Sequence, residues 1–282
     1  MSFQINQYRD FSILFSRREV LRWLKGDFTS IDLKLQRYNL VDRNRGNSYL
    51  KLLKKTYKVL EANYPNEYIL KNEFLNKWLK NELGSKDSLV LNEFRIGKVI
   101  ADLAMFNGIS KAFEIKTILD KEQRLSNQLL EYKKIFNEVY IIIPKTQIDK
   151  YIDFDSTVGI IAYNSSSKDF DLIRKPVENK NIDVNVLMEV LHTKEYLKIV
   201  QEYYGNIPNM SVFDQFEICK ELISKIPTKE LNSLFLKLIK ERKVNNLFFN
   251  KINNEFNQIC LSLNLSKDQK DNLVYQLKSN II

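Results

Sequence analysis

At residue 88 the apolar side chains stop recurring every three or four positions and begin to alternate. Residues 88–95 (SLVLNEFR), 98–106 (KVIADLAMF) and 111–118 (KAFEIKTI) read as three strands, because alternation sends successive side chains to opposite faces of a sheet. Asn107-Gly108 between the last two is a hairpin signal, since tight hairpin turns need residues that tolerate positive φ. Helical spacing returns over 121–136, with Leu125, Leu129, Tyr132 and Phe136 on one stripe. Residues 138–143 (EVYIII), bounded by Pro144, fit a buried strand, and 157–163 and 169–174 add two more.

Helices are expected on both sides of the strands. The segments are 8–25, 47–62 and 66–83 before them, and 211–226, 228–242, 245–263 and 267–278 after them. In 66–83 the stripe of Tyr68, Leu75, Trp78 and Leu79 is interrupted by Asn72, and Gly84 is a natural stop. The fold class is α+β or α/β. Its core order is helix, three strands, helix, strand, with N-terminal helices before it and an all-helical C-terminal region after it. The polar stretch 164–183 marks a boundary. The expected divisions are a basic helical region over 1–64, the sheet-bearing core over 65–178 and a helical domain over 182–282.

The same alternation sorts the ionisable residues. Glu93 falls on the first strand, Asp102 on the second, and Glu114-Ile115-Lys116 on the third, with Glu114 and Lys116 on one face. If the hairpin loop is the three residues Asn107 to Ile109, Phe106 pairs with Ser110 and Asp102 lies opposite Glu114. A two-residue loop would offset the two acids. Paired carboxylates repel unless a cation separates them, and hard oxygen donors select Mg²⁺ or Mn²⁺. A metal there would polarise a phosphoryl oxygen and acidify a bound water. Lys116 would orient or deprotonate that water, or neutralise developing charge. Acid-x-Lys triplets recur, as in Asp32-Leu33-Lys34 and Glu131-Tyr132-Lys133, but none of the others follows a hairpin bearing an acid. The competing reading is a hairpin with one solvated polar face.

Composition closes off other chemistries. The two cysteines, Cys219 and Cys260, allow neither a disulfide framework nor a four-cysteine zinc site; both lie on apolar helical stripes and read as buried thiols. The single histidine, His192, excludes multi-histidine metal centres and sits near a helix end, where a capping or surface role is expected. No segment reaches 18 consecutive apolar residues and the start lacks the pattern of a signal peptide, so the expectation is a cytoplasmic protein with no membrane partner.

The formal charge of +9 is uneven. Residues 1–60 hold 13 Lys or Arg against 5 Asp or Glu. Among the basic residues Arg17, Arg18, Arg22, Lys25, Lys54 and Lys55 are candidates for binding a nucleic-acid backbone, with Trp23, Tyr38 and other aromatics interleaved. The alternative is a solvated helix surface over an aromatic core.

The run from Asn92 to Ile143 resembles the core of the PD-(D/E)XK, or restriction-endonuclease-like, nuclease superfamily. That resemblance implies an αβββαβ core, with Asp102 and the Glu114-Ile115-Lys116 triplet as its motif. Ala101 stands where the motif's name has Pro. The resemblance further implies Glu93 as an upstream acid and Gln128 on the following helix as a site residue. Metal would then be held by Glu93, Asp102, Glu114 and the Ile115 carbonyl, with Lys116 as the catalytic lysine and Gln128 orienting the water, Lys116 or a phosphate. Asn66-Glu67-Tyr68, Glu93, Ala101-Asp102, Glu114 to Thr117, Asp120, Arg124-Leu125, Gln128 and Tyr132 also resemble a family of uncharacterised bacterial proteins grouped with that superfamily. Glu67 is a possible additional ligand on that likeness. The implied activity is a Mg²⁺- or Mn²⁺-dependent endo- or exonuclease acting on DNA, in phage defence or a mobile element. The alternatives are a non-catalytic nucleic-acid-binding module on a nuclease fold, and a regulatory protein that associates with itself or a partner through its C-terminal helices.

Overall fold

The computed structural model describes residues 5–38, 47–82, 88–242 and 253–281. In chain order these form α1 (Ile5–Leu14), α2 (Arg17–Trp23), α3 (Thr29–Arg37), α4 (Tyr49–Asn63) and α5 (Glu67–Glu73). The last runs on as a π-helical stretch, Phe74–Leu79, into α6 (Lys80–Glu82). Strands β1 (Leu89–Ile96), β2 (Val99–Phe106) and β3 (Ser110–Ile115) lead to α7 (Leu125–Lys133) and β4 (Glu138–Pro144). Then come α8 (Ile148–Tyr151), β5 (Gly159–Asn164) and β6 (Asp169–Arg174). Helices α9 (Val184–Val190), α10 (Thr193–Tyr204), α11 (Gln215–Ser224), α12 (Thr228–Lys240), α13 (Asn257–Ser262) and α14 (Lys267–Leu277) follow.

Two local devices reset the expected boundaries. The helix expected over 8–25 is two helices, because Ser16 takes an extended conformation and its hydroxyl accepts the Glu19 N–H (3.4 Å). A serine in that role ends one helix and starts the next. Asn72, which breaks the apolar stripe of α5, is fully buried. Its amide donates to the Tyr57 hydroxyl and the Asn254 carbonyl and accepts from the Gln258 N–H, so it is a satisfied polar hub. Gly84 and residues 245–252 of an expected helix lie outside the described residues.

The six strands form one mixed sheet in the order β1-β2-β3-β4-β5-β6. The first three are antiparallel, while β4 runs parallel to both β3 and β5. The β2–β3 loop is the three residues 107–109: Phe106 pairs with Ser110 and Leu103 with Phe113, with Gly108 at φ 104°. The expected register therefore holds, and the next step along it sets Asp102 against Glu114. The third strand is shorter than expected. It ends at Ile115, although the Lys116 N–H still donates to the Ile142 carbonyl (2.9 Å).

The chain divides into two compact units, and the division differs from the expected one. The first comprises Met1–Glu82, Ser165–Phe170 and Asn245–Ile282; the second comprises Leu83–Asn164 and Asp171–Val244. Thus α5, expected as the first helix of the sheet-bearing core, groups with the N-terminal helices. The C-terminal region is not one domain, since α9–α12 share the second unit's core and α13–α14 the first's. The first core is built around Trp23, Leu53, Leu60 and Leu277. In the second, α7 and α9–α12 join Ala104, Phe106, Ala112, Ile141 and Ile160 of the sheet in one apolar cluster.

The polar stretch 164–183 is not a free linker. Asn179 donates its amide to the Lys133 and Phe136 carbonyls, and the Asn137 amide donates to the Asn179 carbonyl (3.0 Å).

Candidate active site

The ends of β2 and β3 meet the first turns of α7 at a cluster of ionisable groups. The β2–β3 ladder stops at Leu103 opposite Phe113, and beyond it the Ile115 N–H donates to Asp102 Oδ2 (2.8 Å). Glu114 is 3% exposed. Its Oε1 accepts from Lys116 Nζ at 2.7 Å, and Oε2 lies 2.7 Å from the Tyr132 hydroxyl. Lys116 Nζ also reaches Gln128 Oε1 (3.3 Å), and the Gln128 amide reaches the Tyr132 hydroxyl (3.4 Å). Asp102, Glu114, Lys116 and Gln128 are thus brought together as expected.

Glu93 lies on the neighbouring strand β1. It stands opposite Asp102 in the strand register, between the paired residues Asn92 and Phe94, but takes a left-handed conformation (φ 55°) and is exposed. That conformation is costly for a residue with a Cβ. Among the described residues no group of three or more His, Cys, Asp or Glu side chains is close enough to hold an ion. Glu93, Asp102 and Glu114 therefore do not stand as such a group. Glu67 is exposed and pairs with Lys71 one turn along α5 (2.7 Å).

Burial pushes the Glu114 carboxyl up to about 7, the neighbouring Asp102 charge pushes the same way, and Lys116 and Tyr132 pull it back. Tyr132 is itself held well above the usual phenol range, first by burial and then by Glu114. Its hydroxyl lies 2.7 Å from both Glu114 Oε2 and the Ile100 carbonyl, yet has one proton to give. The hydroxyl therefore donates to one of the two acceptors at a time.

An acid whose pKa is higher folded than unfolded holds its proton only in the native state between the two values. Stability therefore falls as pH rises from about 4.5 to about 7. Urea unfolding of the metal-free protein at pH 5 and pH 8 should show a loss of up to about 3 kcal/mol. Glu114→Gln should remove that slope.

The cluster opens into a cleft of about 360 Å³ lined by Lys116, Asp120, Lys121, Gln123, Arg124 and Gln128. Asp120 is engaged structurally, its Oδ2 accepting from the Thr117 N–H and hydroxyl (both 2.7 Å). Lys121 and Arg124 were not singled out as site residues from the sequence. The available signal was the four-residue step Asp120, Arg124, Gln128, Tyr132, which puts the last three on one face of α7.

Of the basic residues expected to meet nucleic acid, Arg17, Arg18, Lys25 and Lys55 are exposed in the first unit. Arg22 and Lys54 are partly committed. Arg22 binds Asp27 (2.8 Å) and reaches Glu19 (3.6 Å), and Lys54 lies 3.7 Å from Glu255. Both cysteines are buried thiols, and burial pushes Cys260 up to about 11. His192 is exposed at the N-cap of α10, where its N–H donates to Glu195 (2.7 Å). It lies just past the end of α9, and its exposure and capping position are as expected. No helix among the described residues is long and apolar enough to cross a membrane.

Comparison with known proteins bears on the family. A curated relative, Protein cII of Enterobacteria phage P4, is 29% identical over 175 residues, covering 60% of this chain and 64% of that protein. The match thus spans less than two thirds of the relative's length. A solved structure, the SPO1766 protein of unknown function from Silicibacter pomeroyi, covers 51% of this chain and 94% of its own at 11% identity. Its TM-score is 0.34, too low to support a common fold. The family described as Bacteriophage P4 protein cII matches residues 61–263, a stretch that contains the whole candidate site. That match covers more than half of the sequence, and the chain belongs to the bacteriophage P4 protein cII family.

Proposed function

We propose that this chain is a metal-dependent nuclease with a restriction-endonuclease-like core, acting on DNA through Asp102, Glu114, Lys116 and Gln128. The observation that carries the reading is the register of the β2–β3 hairpin. It sets Asp102 beside Glu114 while Lys116 Nζ sits 2.7 Å from Glu114 and faces a basic cleft. The phage-named family is consistent with a gene of mobile DNA.

The donor set fits a hard divalent cation. Burial and the neighbouring Asp102 charge both raise the Glu114 pKa, and a cation held between the two acids would relieve that repulsion. Asp102, Glu114 and the Ile115 carbonyl would hold Mg²⁺, which uses few carboxylates and keeps water and phosphate as further ligands. Bound there, Mg²⁺ would polarise the phosphoryl oxygen and acidify the attacking water. Lys116, steadied by Glu114 and Gln128, presents an ammonium to the cleft, where it would neutralise charge developing on the phosphoryl oxygens or orient the attacking water. Tyr132 fixes the Glu114 carboxyl from behind. Lys121 and Arg124 take neighbouring phosphates of the strand.

Lys121→Ala and Arg124→Ala should each weaken DNA binding without changing sequence preference. Each should lower the slope of log affinity against log salt by about 1, as expected for one lost phosphate contact. Fluorescence anisotropy across a salt series measures this.

The test of the function is incubation of the protein with supercoiled plasmid, linear duplex and single-stranded DNA in Mg²⁺, Mn²⁺ or EDTA. Cutting in metal and none in EDTA is the expected result. Salt-sensitive binding with no cutting on any substrate would replace this reading with a non-catalytic binding module.

A further inference from the structure

The turn that follows Lys116 carries two large apolar side chains into solvent. Ile118 is 59% exposed and Leu119 56%. They occupy the corners of the turn Thr117–Asp120, positions where Gly, Asn, Asp and Ser are the usual residues. Single exposed apolar residues are ordinary on protein surfaces, but an adjacent pair at a turn tip has no shelter from either flank.

The turn is also fixed from below. Thr117 is buried, and its N–H and hydroxyl both donate to Asp120 Oδ2. The Leu119 N–H donates to Thr117 Oγ1 (3.1 Å) and the Asp120 N–H to the Thr117 carbonyl (3.3 Å). The base of the turn is continuous with Lys116, whose N–H is bound to β4. The pair is therefore presented on a stiff support, one residue from the catalytic lysine and one from Lys121 of the basic cleft.

We propose that Ile118 and Leu119 form a wedge that enters between stacked bases beside the scissile phosphate, so that the strand is taken at an opened or unpaired step. The inference rests on the nuclease reading and names its substrate class. Charge decides the occupant. Lys116, Lys121 and Arg124 draw a phosphate backbone into the cleft beside the turn, and the bases attached to that backbone are the apolar surface that arrives with it. Inserted aliphatic side chains unstack base steps in this way, and the cost is least where the bases are already unpaired.

The test uses a 30-base-pair duplex carrying 2-aminopurine, whose fluorescence rises when it unstacks, and the matching single strand. Both are bound to the full chain in EDTA, with anisotropy recording occupancy. Saturating wild-type protein is expected to raise duplex fluorescence about threefold or more. The double variant Ile118→Ser, Leu119→Ser should bind the duplex within about threefold of wild type yet leave the fluorescence flat. Ile118→Leu, Leu119→Met should behave as wild type. On cleavage in Mg²⁺, the serine variant should lose about tenfold or more on duplex and little on single strands.

Unchanged fluorescence with the wild type bound, or the same rise in the serine variant, overturns the wedge. So does absence of duplex binding, or a change from oligomer to monomer in the serine variant, which would mean that another copy of the chain covers the turn. Unstacking without metal-dependent cleavage leaves the wedge standing and removes only the nuclease reading.

Discussion

Lys116→Met is expected to lower metal-dependent DNA cleavage about a thousandfold or more while the protein stays folded. The ammonium supplies two things that a thioether cannot. It is a cation at the edge of the cleft, and transition-state stabilisation by one well-placed donor is worth roughly 10² to 10³ in rate. It also holds Glu114 toward its ionised form from 2.7 Å. Without it, only the Tyr132 hydroxyl opposes burial and Asp102, so the carboxyl is driven further toward its protonated form and is a poorer metal ligand. The same neutralisation protects the fold, because a buried carboxyl that takes up a proton avoids the cost of an unpaired charge. Initial cleavage rates beside a thermal melt separate the two effects. Lys116→Arg restores the charge but not the compact ammonium geometry, and should recover folding stability more than rate.

The largest stability effect is expected at Phe106. Its ring is fully buried at the end of β2, with ring centres 5.7 Å from Phe94, 6.0 Å from Phe136 after α7 and 6.0 Å from Phe235 on α12. Phe106→Ala removes the ring and leaves a cavity among rings that cannot all close in, a change that typically costs about 3–5 kcal/mol. For a unit of this size that is a fall in melting temperature of roughly 10 °C. The outcome also reports on organisation, since the ring joins the sheet to a helix from the C-terminal region. Phe213→Ser is the control: that ring is 96% exposed, and its loss should leave the melting temperature unchanged. A drop of less than about 1 kcal/mol for Phe106→Ala, read from urea unfolding, would contradict the shared core.

These two residues also mark what could be read from the sequence. The site was legible because its determinants are local. Asn107-Gly108 needs a left-handed turn residue, Gly108 supplies it at φ 104°, and a three-residue loop then leaves one register for Asp102 and Glu114. The break at Ser16 is equally local. Ser16-Arg17-Arg18-Glu19 has the serine and glutamate spacing of a helix start, inside a stretch whose apolar period alone suggests one helix.

The unit boundaries were not legible, because they depend on packing between distant segments. Leu273 and Leu277 pack with Trp23 and Leu53, a pairing that no local pattern encodes. The segment 164–183 is polar for a reason other than linkage, since Asn179 satisfies backbone carbonyls at the end of α7. Glu93 is legible only in part. Its position opposite Asp102 follows from strand alternation, but its left-handed backbone does not.

The most direct measurement is single-turnover cleavage of an end-labelled DNA duplex and its single strand by the wild type and Asp102→Asn, each in Mg²⁺ and in EDTA. The expected result is cleavage by the wild type in Mg²⁺ alone and a loss of about a thousandfold or more in Asp102→Asn. Cleavage that persists in EDTA, cleavage unchanged in Asp102→Asn, or none by the wild type on either strand form would contradict a metal-dependent site at the end of β2 and β3.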